Sequence, residues 1–274
     1  MLREIGDILP DQSDDCRFDL VKHRESYYKK IVAECPKCGG SGKFESTKTS
    51  SLLKCSCKDS FKFILEMLKS NFPQQHLDIL NQKIFKRSIV ELDIRDDDKI
   101  SKPVDFEKHF MESFLSNKNF MIQNSCSSLF IGNNETGKTY SALYMLASFI
   151  ADDISGHYLR FKNYLNLLNS SYNNNDDKKV LRQIRDVKFL IIDELGKEHG
   201  KAEYATCELE ELIKYRQDNL SCTILISNLD DSDFINTYGN HVRSAFNKNF
   251  KIIIFNPDAE FRKKTRVQWP KQIL

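Results

Sequence analysis

Gly132-Asn133-Asn134-Glu135-Thr136-Gly137-Lys138-Thr139, GNNETGKT, carries the decision about the fold. It follows the pattern G-x-x-x-x-G-K-T, a loop whose backbone N–H groups cradle the phosphates of a nucleoside triphosphate. The apolar run SLFI precedes it and YSALYMLASFIADDI (140–154) follows it with helical character. A strand, a glycine-rich turn and then a helix aim N–H groups and a helix N-terminus at one anion. In this arrangement Lys138 reaches the β- and γ-phosphates and the Thr139 hydroxyl ligates Mg²⁺. The nucleotide contacts expected from the loop run from Gly132 through Asn133, Asn134, Glu135, Thr136, Gly137, Lys138 and Thr139 to Tyr140.

Two further apolar runs end in polar residues. FLIIDELG (189–196) places four apolar residues before Asp193 and Glu194. Such a run reads as a buried central strand, and open α/β sheets bind ligands at the carboxyl ends of their strands. Asp193 then holds Mg²⁺ through water, and Glu194 polarises an attacking water. A carboxylate beside the metal-binding acid favours hydrolysis over phosphoryl transfer to a small acceptor. TILISN (223–228) ends in Asn228. That amide can touch the γ-phosphate or the attacking water, although Asn at a strand end is also ordinary turn chemistry.

Around these motifs, strands alternate with helices. VDFEKHFMESFLSNKN (104–119) and EYATCELEELIKYRQDN (203–219) read as helices, and KNFKIIIFN (248–256) as a late strand. SSYNNNDD (170–177) reads as a polar loop between helices. The alternation argues for a parallel sheet with helices on both faces. Earlier in the chain, LVKHRESYYKKIVAE (20–34) looks helical. FKFILEMLKSNF (61–72) looks like an amphipathic helix stopped by Pro73, and ELDIRDDDKISKP (91–103) like a charged linker. The expected organisation is an N-terminal module over 1–60, a helical linker over 61–103 and an ATPase domain over 104–274.

The 274 residues suffice for that division, and a hydrophobic content of 40% supplies a core. Net charge is +2, so overall charge does not mark a nucleic-acid binder. No apolar run approaches the ~20 residues of a membrane span, and the N-terminus lacks a secretory pattern. A cytoplasmic protein without membrane contact is expected.

Of eight cysteines, four lie between residues 35 and 57. With no secretory signal, a disulfide framework is not expected. CPKCGGSGKF gives Cys35-x-x-Cys38, and Cys55-x-Cys57 completes two thiolate pairs suited to one tetrahedral Zn²⁺. Glycines after the first pair let backbone N–H groups approach the sulfurs. In so short a segment, metal binding would supply folding energy. An iron–sulfur cluster is the alternative occupant, and His23 a substitute ligand. Cys16, Cys126, Cys207 and Cys222 read as ordinary thiols.

A Cys-x-x-Cys…Cys-x-Cys module, a linker, and then GNNETGKT, FLIIDELG and ILISN together resemble the DnaC/DnaI-type replicative helicase loaders, the phage-encoded zinc-bearing members most of all. The resemblance covers roughly residues 35–57 and 105–256 and includes ELIKYRQDNLSCTILISNL (211–229). It implies an AAA+ P-loop ATPase core, a parallel sheet flanked by helices, with no separate lid domain and with a small zinc module before it. It implies ATP, Mg²⁺ and Zn²⁺ as cofactors. The implied partners are a hexameric replicative helicase, gripped by residues 1–60, single-stranded DNA, and further copies of the chain assembled side by side on the helicase. The family's inter-subunit arginine falls in YGNHVRSAFNKNF (238–250). The family pattern expects it near Ala245, and here Arg243 is the candidate. ATP turnover is expected to be slow and stimulated by partners.

Single strands are held by positive charge and aromatic stacking. RFKNYLNLLNSSY offers Arg160, Phe161, Lys162, Tyr164 and Tyr172, although Phe161 and Tyr164 at helical spacing also suit a core. The competing readings are an IstB-like transposition ATPase, a zinc-containing nucleoside or nucleotide kinase, and a non-catalytic module that keeps nucleotide for stability alone.

Overall fold

Three apolar runs, SLFI, FLIIDEL and CTILIS, become strands covered on both faces, which is why they lack the polar alternation of a half-exposed strand. In the computed structural model the described residues are 28–46, 51–73, 88–93, 104–105, 116–197, 202–245 and 251–255. The strands are β1 (Lys43–Glu45), β2 (Leu52–Lys54), β3 (Ser88–Asp93), β4 (Val104–Asp105), β5 (Ser128–Ile131), β6 (Gly156–Arg160), β7 (Phe189–Leu195), β8 (Cys222–Ser227) and β9 (Lys251–Phe255). The helices are α1 (Cys57–Lys69), α2 (Lys118–Gln123), α3 (Lys138–Ala151), α4 (Phe161–Ser171), α5 (Asn175–Asp186), α6 (Ala202–Asp218) and α7 (Asp231–Ala245). A short helical turn, Lys29–Ala33, precedes the cysteines.

The main sheet runs β4-β3-β9-β5-β8-β7-β6. Its five strands from β9 to β6 are parallel, and β3 and β4 extend it antiparallel. This is the α/β P-loop architecture expected above. The strand order matters for the site. β8 is threaded between β5, which leads into the phosphate loop, and β7, which ends in the two acids. Asn228, one residue past β8, therefore follows a strand that lies between those two features.

Two apolar layers sandwich the sheet. On one face α1, α2 and α3 contribute Ile64, Met67, Leu68, Met121, Leu143, Leu146 and Phe149. On the other, α4 to α7 contribute Phe161, Tyr164, Leu181, Leu209, Leu212 and Tyr238. Asn174 caps α5, its side chain accepting from Asp176 N–H at 2.9 Å, with Asp176 and Asp177 in the positive first turn. The polar stretch 170–177 is thus a short turn at Tyr172–Asn174 followed by the start of a helix.

Elsewhere the structure departs from the sequence reading. The helix expected at 61–72 begins at Cys57, crosses the expected boundary at residue 60, and lays its apolar face on the ATPase core. The start of the expected linker, Glu91–Asp93, lies in β3, paired with β9 in the register Glu91↔Ile253 and Asp93↔Lys251. Val104 and Asp105, expected to open a helix, form β4. In both cases a long-range sheet edge overrides local pattern. The rest of 104–115, most of 20–34 including His23, and residues 256–274, on which the expected absence of a lid depends, lie outside the described residues. Among the described residues, no helix is long and apolar enough to cross a membrane.

Candidate functional site

The phosphate loop is shaped by backbone conformations that its glycines permit. Gly132 sits at φ 133°, and a Cβ there would come 2.5 Å from the Phe255 carbonyl oxygen. Gly137 at φ 91° turns the chain into α3, so that Lys138 and Thr139 open the helix. Lys138 is 4% exposed. Its ammonium donates to the carbonyls of Gly132 at 2.6 Å and Asn133 at 2.7 Å, and lies 3.4 Å from Thr136 Oγ1. Thr136 Oγ1 also donates to the Asn133 carbonyl at 3.0 Å. Burial lowers the Lys138 pKa to about 8, against the opposing pull of Asp193. Bound phosphate would draw this ammonium off its own loop. Asn134 and Glu135 are exposed at the loop's crest, with Glu135 at φ 72°. Tyr140 packs partly against the α3 side of the core.

The acids come from the end of β7. Register against β8 slips there, since Ile192 faces Leu225 but Leu195 faces Ser227. One extra residue on β7 makes a bulge at Asp193–Glu194, and Glu194 takes the left-handed φ of 62°. In a regular strand these neighbours would point to opposite faces. Strain at a non-glycine residue of this kind concentrates at functional sites. Gly196, at φ 90°, turns the chain away, its N–H donating to the Tyr238 hydroxyl at 2.7 Å.

Asp193 is 5% exposed and well supplied with donors. Oδ2 accepts from Thr139 Oγ1 at 2.8 Å and from the Tyr158 hydroxyl at 3.0 Å, and Oδ1 accepts from the Glu194 N–H at 2.7 Å. Burial pushes the Asp193 pKa up, and these hydrogen bonds oppose the rise. Thr139 and Asp193, expected to share Mg²⁺, are thus brought into direct contact. Glu194 lies between two cations, with Arg160 Nε 3.5 Å from Oε2 and Lys197 Nζ 3.6 Å from Oε1.

Arg160 and Tyr158 belong to the site because β6 pairs in parallel with β7, with Arg160 opposite Asp193. Sequence reasoning placed Arg160 in a DNA-contacting segment and gave Tyr158 no role. Phe161 and Tyr164 of that segment are buried at 0% and 1% exposure and belong to the α4 core, so they are not a stacking surface. Lys162 and Tyr172 are exposed. Arg243 lies in the last turn of α7, beyond a break at Gly239 (φ 70°), and its side chain lies outside the described residues.

The four cysteines converge. All four sulfurs lie within 4.8 Å of one another, with Cys35–Cys55 at 3.8 Å and Cys38–Cys57 at 3.7 Å. A tetrahedron with metal–sulfur bonds of about 2.3 Å has edges of about 3.8 Å, so a single four-coordinate ion fits. A cluster that spreads its thiolates over several irons needs them farther apart. Cys38 shows the donor chemistry. Burial pushes its thiol up, but hydrogen bonds from the backbone of Gly42 and Gly40 and from neighbouring thiols bring it down to about 7. Cys57 is pushed up to about 12 by burial and by sharing protons with its neighbours. Val32, Phe44 and Phe61 wrap the cluster, and Cys57 is the first residue of α1.

No family model matches the chain, and no curated protein matches it. Solved structures similar to it include the DnaC helicase loader, at 22% sequence identity and a TM-score of 0.46 over 53% of this chain and 86% of that one. DnaI is similar at 16% identity and a TM-score of 0.41, over 56% of this chain and 85% of that one. The replication initiator DnaA bound to AMPPCP and single-stranded DNA is similar at 14% identity and a TM-score of 0.47. That match covers 60% of this chain and about half, 54%, of the initiator. At these identities no activity passes from those proteins to this one.

Proposed function

We propose that this protein is an ATP-controlled helicase loader, which binds a hexameric replicative helicase and helps deposit it on single-stranded DNA. The observation that carries the reading is the Thr139–Asp193–Glu194 constellation, built at the carboxyl edge of the sheet on a core that also mounts the cysteine module through α1. A hydrolytic nucleotide site joined to a metal-stabilised docking module is the equipment of a switch that grips a partner in one nucleotide state and releases it in the other. The order of motifs along the chain, described above, supports the loader reading over the other ATPases.

In this reading Lys138 and the loop from Gly132 to Thr139 bind the triphosphate, and Thr139 and Asp193 hold Mg²⁺. Mg²⁺ held there would supply charge neutralisation for the bound phosphates. Glu194 takes the proton of the attacking water, with Arg160 and Lys197 setting the carboxylate's direction. Asn228 senses the γ-phosphate. Arg243 reaches the site of a neighbouring copy when several copies assemble on the helicase. Cys35, Cys38, Cys55 and Cys57 hold one structural Zn²⁺, and the module they organise meets the helicase. Lys162 and Tyr172 remain available to single-stranded DNA.

Native mass spectrometry with the hexameric replicative helicase of the same host, with and without ATP, tests this. A stoichiometric complex that changes with nucleotide is the expected result. No complex in either condition, with one zinc retained per chain, refutes the loader reading and favours a transposition ATPase.

A further inference from the structure

Among the described residues β6 is the last strand on its side of the sheet, and its outer edge presents backbone groups that β7 does not pair. The chain leaving α1 takes them at one residue. Tyr158 N–H donates to the Ser70 carbonyl at 2.8 Å, and Asn71 Nδ2 donates to the Tyr158 carbonyl at 2.9 Å. The neighbouring His157 ring hydrogen-bonds to the Lys69 backbone. Asn71 adopts φ 54°, and Ser70 Oγ closes back on the Met67 carbonyl at 2.7 Å, so a tight turn at the end of α1 forms this grip.

The Tyr158 side chain faces the other way in function. Its hydroxyl donates to Asp193 Oδ2, the oxygen that Thr139 also holds. Thr139 could ligate a metal ion through an oxygen lone pair while its O–H still donates to Asp193, so that hydroxyl would then serve two partners. Tyr158 is, among the described residues, the other side chain that donates to Oδ2, and its hydroxyl is not one of the expected metal ligands. The terminal torsion of an aspartate is soft, so an unheld carboxylate samples a broad range of orientations. Partners of this kind, which orient a metal-binding group without touching the metal, typically govern affinity by 10–100-fold.

The grip and the hydroxyl lie on one path. α1 begins at Cys57, inside the cysteine cluster, runs 13 residues, or about 20 Å at helical rise, and ends in the turn that holds Tyr158. Along the way Ile64, Met67 and Leu68 are buried in the same core as α3, so the helix is packed along its length.

We infer that Tyr158 is a positioning residue for the Asp193 carboxylate, and that the Lys69–Asn71 grip makes the Mg²⁺ affinity of the nucleotide site depend on the helix mounted on the cysteine cluster. This rests on the nucleotide-site reading above but not on the identity of the partner. The hydroxyl and the grip act on the metal-bound form of the site. Binding of nucleotide without metal depends instead on the loop and Lys138.

The test uses the full-length, zinc-loaded protein and calorimetric binding of a non-hydrolysable ATP analogue, titrated over Mg²⁺ and repeated in EDTA. Tyr158→Phe should raise the half-saturating Mg²⁺ concentration about tenfold. Affinity in EDTA should stay within twofold. Asn71→Ala should shift the Mg²⁺ requirement in the same direction by a smaller factor, again without effect in EDTA. A Mg²⁺ requirement within twofold of wild type for Tyr158→Phe overturns the positioning role. Equal losses with and without Mg²⁺ also overturn it, because they report general damage to the pocket. A shift for Tyr158→Phe with none for Asn71→Ala overturns the dependence on the helix. Wild-type protein that binds no nucleotide would sink both this inference and the ATPase reading. A normal Mg²⁺ shift with no helicase complex would sink the loader reading alone.

Discussion

His157 sets a measurable acid sensitivity at the point where α1 meets the sheet. Its ring is buried, its Nε2 has no hydrogen-bond partner among the described residues, and the ring hydrogen-bonds to the Lys69 backbone. Burial lowers its pKa from 6.5 to about 4. In the unfolded chain the ring takes up a proton as pH falls through 6.5, whereas the folded protein refuses it until about pH 4. Between those values the unfolded state binds more protons, so the stabilisation is complete above pH 6.5 and is lost progressively on acidification. Each pH unit inside that window removes about 1.4 kcal/mol, so going from pH 7 to 4.5 removes about 2–3 kcal/mol through this residue. Urea unfolding followed by circular dichroism at pH 7, 6, 5 and 4.5 measures it, comparing wild type with His157→Phe. The variant should be less stable at pH 7 by about 1 kcal/mol, because the Lys69 carbonyl loses its donor. It should then lose about 2–3 kcal/mol less than wild type on acidification. Carboxylates and cysteine ligands titrate in both proteins and cancel in the difference. Parallel pH curves for the two proteins would refute the reasoning.

Four other substitutions separate the roles assigned above. Glu194→Gln should bind ATP with near wild-type affinity and lower single-turnover hydrolysis at least ~100-fold, read by quenched flow, since it removes the base and keeps the shape. Phe161→Ala should lower the unfolding free energy by about 3–5 kcal/mol, as loss of a core ring does, while Lys162→Ala changes it by less than about 0.5 kcal/mol. Only the Lys162 change should weaken binding of a labelled single strand without loss of fold. Zinc analysis of the purified protein should find one ion per chain, and Cys57→Ser should abolish it and lower the thermal midpoint, because metal binding here is folding energy.

The chain's order of motifs made the P-loop sheet legible in advance. GNNETGKT, FLIIDELG and ILISN each carry their chemistry in contiguous residues attached to a buried strand, so one-dimensional pattern suffices to place them at one sheet edge. The cysteine spacing was legible for the same reason, since all four ligands lie in a short segment that must close on itself. What pattern could not supply was adjacency across the sheet. Tyr158 and Arg160 stand beside Asp193 and Glu194 only because β6 and β7 pair in parallel, more than 30 positions apart in the chain. Phe161 and Tyr164 carry the same helical spacing whether they stack on bases or fill a core, and only the packing of α4 against the sheet decided for the core. Glu91–Asp93 look like linker because charge and nearby proline say so locally, yet the open edge of β9 recruits them into the sheet. Local sequence therefore determined which residues gather at the phosphate loop and which sulfurs cluster. The neighbours that hold those residues in position were decided by backbone pairing and burial, interactions that connect residues without regard to their distance along the chain.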